Sequence, residues 1–180
     1  MLRLAVSTAL SLSFLFVGTA AAQAPVPPMP AGWITIARGG GCKVWNPSPH
    51  GAGSVTWTGD CAAGLASGRG TLQWMISGNP TDRYEGELYK GKMHGNGVLQ
   101  YADGRRYEGM FRDGQRNGRG TLTYTNGIKY VGDWKSDRPH GRGTLTAGTD
   151  TYSGAWVDGC FKEGSQKAWL NKTPKECGFE

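Results

Sequence analysis

The sequence predicts an all-β chain, built of consecutive antiparallel β-hairpins that form one elongated, curved sheet. Three observations carry this. One phrase recurs four times: Tyr84-Glu-Gly-Glu-Leu88, Tyr107-Glu-Gly-Met-Phe111, Tyr130-Val-Gly-Asp-Trp134 and Tyr152-Ser-Gly-Ala-Trp156. The spacings are 107−84 = 23, 130−107 = 23 and 152−130 = 22 residues, an interval at which self-similarity signals an array. Between the copies runs a second phrase, His94-Gly-Asn-Gly-Val-Leu-Gln-Tyr101, Asn117-Gly-Arg-Gly-Thr-Leu-Thr-Tyr124 and His140-Gly-Arg-Gly-Thr-Leu-Thr-Ala147, so the unit is two strands and two turns.

Side chains alternate along a strand, so Tyr84, Gly86 and Leu88 share one face and Glu85 and Glu87 the other. Stacked hairpins then build columns. One holds Trp57, Tyr84, Tyr107, Tyr130 and Tyr152; a second holds Cys61, Leu88, Phe111, Trp134 and Trp156; a third holds Leu72, Leu99, Leu122 and Leu145. Between the aromatic columns runs a glycine column, Gly59, Gly86, Gly109, Gly132 and Gly154. It lets the ribbon bend while neighbouring rings close over the missing side chains. The pairs Gly95/Gly97 and Gly118/Gly120 are expected in turns that need positive φ.

With their Asp103-Gly104 and Asn126-Gly127 links, these phrases resemble the MORN repeat (membrane occupation and recognition nexus), in an exported, bacterial-type chain. The resemblance covers about half the chain well. A worn copy precedes it, Trp57-Thr-Gly-Asp-Cys61 followed by Ser67-Gly-Arg-Gly-Thr-Leu-Gln-Trp74, and His50-Gly-Ala-Gly53 looks like another. The resemblance implies the same hairpin architecture, and a role in membrane attachment or protein scaffolding.

The remaining segments frame the array. Residues 1–22 read as a signal peptide, with Arg3, an apolar run and Ala20-Ala21-Ala22 as the cleavage site. Residues 23–32 are a Pro-rich linker, 33–83 the degenerate N-terminal repeats and cap, 84–159 the array, and 160–180 a C-terminal cap with a helical turn expected near Lys167 to Leu170. Export directs the chain to a periplasmic or secreted setting, peripheral to the envelope. It also makes the four cysteines candidates for pairing. Three pairings are possible, of which the local bridges Cys42–Cys61 and Cys160–Cys177 are favoured because each pair flanks one end of the array.

Candidate chemistry is sparse. His50, His94 and His140 each precede a Gly-x-Gly and read as turn residues; His94 and His140 are 140−94 = 46 residues apart. At four strands this is roughly 19 Å, too far to share a metal. Glu85, Glu87 and Glu108 sit at repeated solvated positions, and no nucleophile elbow, phosphate loop or zinc motif is present. No cofactor or metal is expected, and catalysis has no visible apparatus.

The net charge is +6, or 6−1 = +5 without Arg3. Lys92, Arg116 and Arg138 are read as one row and Arg69, Arg119 and Arg142 as another, about 10 Å between members, forming a basic edge. The reading is a non-catalytic binding or scaffold module in the cell envelope. Its partner is a protein or an anionic lipid surface rather than nucleic acid, with homodimers formed through the exposed sheet ends. The alternative is a carbohydrate-binding or enzyme-associated envelope protein using an open aromatic face of Tyr84, Tyr107, Phe111, Tyr130, Trp134, Tyr152 and Trp156.

Overall fold

A computed structural model describes residues 32–36, 41–46 and 53–179. The expected leader, the linker up to residue 31, and His50 lie outside the described residues. The strands are β1 (Gly32–Thr35), β2 (Lys43–Asn46), β3 (Ser54–Trp57), β4 (Asp60–Ala62), β5 (Leu65–Ile76), β6 (Asn79–Tyr89) and β7 (Lys92–Gln100). They continue as β8 (Arg106–Arg112), β9 (Gln115–Thr123), β10 (Lys129–Lys135), β11 (Arg138–Ala147), β12 (Asp150–Val157), β13 (Cys160–Glu163) and β14 (Gln166–Trp169).

All belong to one open, curved 14-stranded sheet. From β5 to β14 each strand pairs antiparallel with its neighbour in sequence, while β2 meets β5 in parallel at Lys43 and Leu65. In the worn copy the first strand of the unit is broken at Thr58-Gly59 into β3 and β4, both paired to β5.

Each unit uses two kinds of connection. At one edge the hairpins close through two residues of positive φ, Lys90-Gly91, Asp113-Gly114, Ser136-Asp137 and Asp158-Gly159, the geometry whose twist matches the strands. At the other edge β7 passes to β8 through Tyr101–Arg105, closed by the Tyr101 N–H on the Arg105 carbonyl (2.9 Å). β9 passes to β10 through Tyr124–Ile128, closed likewise at 2.8 Å. Between β11 and β12 only Gly148 and Thr149 intervene, which shortens the last tyrosine interval by one residue.

The tight turns also join the units. The N–H of Gly91 donates to the carbonyl of Ala66 (2.8 Å), Gly114 to Met93 (2.9 Å), Asp137 to Arg116 (3.1 Å) and Gly159 to Pro139 (2.8 Å). This repeat of bonds sets the stacking edge.

Gly95, Gly118 and Gly141 do have positive φ, but they stand inside β7, β9 and β11 rather than in turns. The register slips there: Gly86 pairs with Gly97 and Glu87 with His94, leaving Gly95 and Asn96 as a bulge. Gly97, Gly120 and Gly143 lie opposite the glycine column, and a Cβ on any of them would strike the ring of Tyr84, Tyr107 or Tyr130. The vacancies are filled by phenols.

Both local disulfides form. Cys42–Cys61 ties the β1–β2 hairpin to β4, and Cys160–Cys177 ties β13 to the tail, with Cα separations of 5.9 and 5.6 Å. The bridge draws Cys61 out of the buried column, and its residue is exposed. The helical turn expected near Lys167 to Leu170 is instead strand β14. A 3-10 turn follows Pro174, at Lys175–Cys177, because Gln166–Trp169 pairs with β13 and only the residues beyond it are free to coil.

Candidate binding surfaces

The aromatic face is closed. Tyr84, Tyr107, Phe111, Tyr130, Trp134 and Trp156 are buried and Tyr152 is half-buried, so the open ring surface that the carbohydrate-binding alternative needs is not present at these residues. The reason is mutual packing. Tyr84 meets Phe111 (5.2 Å), Phe111 meets Tyr107 (5.0 Å), Tyr107 meets Trp134 (5.4 Å), Trp134 meets Tyr130 (5.2 Å) and Tyr130 meets Trp156 (5.2 Å), all edge to face. Rings so arranged satisfy one another's quadrupoles and leave no face for a sugar. Each phenol also donates to the carbonyl three residues on, Tyr84 to Glu87 (2.9 Å), Tyr107 to Met110 (3.0 Å) and Tyr130 to Asp133 (3.1 Å). Burial pushes all three phenols well above the ordinary range.

The basic residues divide differently from the two expected rows. Arg69, Arg119 and Arg142 do occupy one position, the middle of Gly-Arg-Gly, and all are exposed. In β9 and β11 that position is the bulge, which turns the side chain away from the sheet; Arg119 is 87% exposed and 3.8 Å from Asp133. Lys92 and Arg138 open β7 and β11 beside the tight turns.

Arg116 does not belong with them. The residue that opens β9 is Gln115, so Arg116 falls one place later, in the column of Ala66, Met93 and Pro139. There it is only 8% exposed. Its Nε donates to Asp137 Oδ1 (2.9 Å), its Nη2 to the Asp137 carbonyl (2.8 Å), and its guanidinium stacks 4.4 Å from the Trp134 ring. The sequence signal that was missed is Asp137, which replaces the glycine standing at Gly91, Gly114 and Gly159.

Arg116 and Asp137 line a cavity of about 560 Å³, together with Trp74, Met93, Leu99 and Phe111. Sequence reasoning did not find it, because its walls come from β2, from β5 to β9 and from the β10–β11 turn, far apart in the chain. The carboxylates read as solvated are exposed, Glu85 paired with Arg83 (2.6 Å) and Glu108 with Arg106 (2.7 Å). His94 and His140 stand in β7 and β11, ahead of the bulges rather than in turns; His140 Nδ1 lies 3.2 Å from Asp158 Oδ1. Among the described residues no three His, Cys, Asp or Glu side chains cluster as a metal site, and no helix is long and apolar enough to cross a membrane.

The MORN repeat family model matches residues 84–105, 107–129 and 130–150, with Tyr107 and Tyr130 opening the second and third matches. Comparison with curated proteins finds no match for the chain. MORN repeats are binding and scaffold modules rather than catalytic ones. The phenol-over-glycine hairpins of residues 84–150 are therefore three consecutive MORN repeats, and the chain is a MORN repeat protein.

Proposed function

We propose that the chain is a non-catalytic scaffold of the cell envelope that docks on an acidic surface, an anionic lipid layer or an acidic protein. Contact is made through the exposed Gly-Arg-Gly arginines Arg69, Arg119 and Arg142, with Lys92 and Arg138 at the turn edge. The observation that carries this reading is the Gly-Arg-Gly row itself. The fold closes its rings inward and holds three guanidinium groups outward at one repeated position. Arg119, 87% exposed, has only a long contact with Asp133 to give up on binding. Arg116 takes no part, being buried and paired. Two disulfides fit an oxidising, exported setting.

Basic side chains at an anionic membrane contribute about 1 kcal/mol each and are screened within ~8 Å at physiological salt. The test is binding to phosphatidylserine vesicles and to polyglutamate at low and high salt, for the native chain and for Arg69→Glu/Arg119→Glu/Arg142→Glu. Native binding should weaken with salt, and the variant should lose on the order of a hundredfold. Vesicles bound without polyglutamate identify lipid, and the reverse identifies protein. Equal binding by native and variant chains at both salt levels would remove the row from the function.

A further inference from the structure

Trp74 is the residue the repeat pattern does not explain. It stands where later units carry Tyr101, Tyr124 and Ala147, but the β5–β6 register slips between Gln73 and Met75 and Trp74 occupies the irregularity. The side chain of Gln73 holds this distortion by donating to the carbonyl of Trp74 (2.8 Å) and to that of Asp82 (3.1 Å). The indole is 5% exposed, and its Nε1 has no hydrogen-bond partner among the described residues. A buried indole N–H ordinarily finds an acceptor, and an unanswered one requires a reason.

Trp74 borders the 560 Å³ cavity, a volume within the ~300–1,000 Å³ of ligand sites. Its floor is apolar, with Met93, Leu99 and Phe111 all buried. Arg116, more than nine-tenths buried, reaches the same space, with two of its three guanidinium nitrogens bonded to Asp137. The cavity therefore offers donors to a ligand.

It offers no spare positive charge. Its lining carries three aspartates (Asp82, Asp103, Asp137) and two arginines (Arg105, Arg116), 2−3 = −1 in all. Both arginines are already ion-paired, Arg105 to Asp103 at 2.7 Å and Arg116 to Asp137 at 2.9 Å. A carboxylate or phosphate would lose water and meet a net negative wall. A neutral acceptor suits a lining that carries two N–H-bearing side chains, Trp74 and Arg116, over a hydrocarbon floor.

We propose that this cavity binds a neutral molecule with an aromatic or aliphatic body and a carbonyl oxygen, which accepts from Trp74 Nε1 and from the Arg116 guanidinium. The site is separate from the exposed arginine row and does not depend on the acidic-partner reading.

Three probes of one size decide it: N-methylbenzamide, benzoate and benzylammonium, titrated into the full chain with indole ¹⁵N–H signals recorded and the Trp74 signal assigned by its loss in Trp74→Phe. N-methylbenzamide is expected to shift the Trp74 signal and to bind at least tenfold more tightly than benzoate or benzylammonium. Trp74→Phe keeps the ring without the donor and should lose about tenfold in affinity for the amide. Arg116→Met/Asp137→Gly copies the Met93 and Gly114 of the preceding unit, so it retains a repeat that folds, shown by unchanged far-UV dichroism, and it should weaken the amide similarly. Benzoate or benzylammonium binding as tightly as the amide, an unmoved Trp74 signal, or undiminished affinity in both variants would overturn the proposal.

Discussion

Tyr84, Tyr107 and Tyr130 each lay a ring over a pair of facing glycines and donate a hydroxyl hydrogen bond to a carbonyl at the bulge, so one side chain both fills the vacancy and holds the bend. In the worn copy Trp57 does the same over Gly59 and Gly70, with Nε1 donating to the Asp60 carbonyl at 3.0 Å. An O–H or an N–H at that reach serves, which is why the copy tolerates the exchange. The buried phenols also give the fold an alkaline limit. Their folded pKa values lie above the unfolded value of about 10. The folded state therefore holds protons that the unfolded chain releases, so stability is complete below pH ~10 and falls as pH rises beyond it. Urea midpoints measured from pH 8 to 11 should decline at the upper end. Tyr107→Phe should cost about 1 kcal/mol at pH 8 through the lost hydrogen bond, and its decline with pH should be shallower. A flat native profile would contradict this account.

The β10–β11 hairpin shows an element departing from its repeat by a matched pair. Its turn, Ser136-Asp137, has φ of 47° and 66° with no glycine, a conformation that side chains rarely adopt. Asp137 is compensated by Arg116, whose backbone N–H and Nε both donate to its carboxylate (3.0 and 2.9 Å). The pair links β9 to the following turn, where Gly91 and Gly114 have only a backbone bond. Asp137→Gly relaxes the turn but leaves a guanidinium, 10% exposed as a side chain, without its anion. Loss of the partner should outweigh relief of the turn, lowering stability by about 1–2 kcal/mol, less than for a fully buried pair because Asp137 itself is half in water. Arg116→Met/Asp137→Gly should regain most of that loss. Denaturant unfolding of the two single variants and the double one closes the cycle, and additive effects would mean that the pair is uncoupled.

At the scale of the molecule, each unit touches mainly its neighbours, so stability is close to a sum of units and interfaces, and the ends are weakest. The two disulfides stand at those ends. Cys160–Cys177 spans 17 residues and Cys42–Cys61 spans 19. Loops of this length correspond to about 3 kcal/mol each in loop-closure entropy. Each end has a further backbone tie, Trp45 N–H to the Gly91 carbonyl at the N-terminal end and Leu170 N–H to the Gly159 carbonyl at the C-terminal end, both 2.8 Å. Beyond β13 the tail is held by β14, the buried Leu170, the bridge and a 6.3 Å contact of Trp169 with Phe179. Cys160→Ser/Cys177→Ser should therefore raise amide exchange in β13, β14 and the tail while leaving β7 to β10 protected. Exchange mass spectrometry showing uniform loss across the array would refute unit-wise stability.

The periodic words determined the sheet. Tyr-x-Gly-x-aromatic at 22 to 23 residues places ring and glycine on one face by strand alternation alone, and the leucine column follows from the same period. Periodicity is local information, and hairpin order needs nothing more. Two readings failed for want of tertiary packing. Counting from the Gly-x-Gly word put the turn at His94 and Asn117, whereas the chain turns at Lys90-Gly91 and Asp113-Gly114 and bulges at the glycines. That displacement moved Arg116 from an imagined surface row into the core. The aromatic column was legible as a column, but whether its rings faced water depended on neighbouring units approaching within about 5 Å, which no single repeat encodes. The cavity under Trp74 has the same origin. Residues from β2, from β5 to β9 and from the β10–β11 turn enclose it, and only the curvature of the stacked sheet decides that they meet.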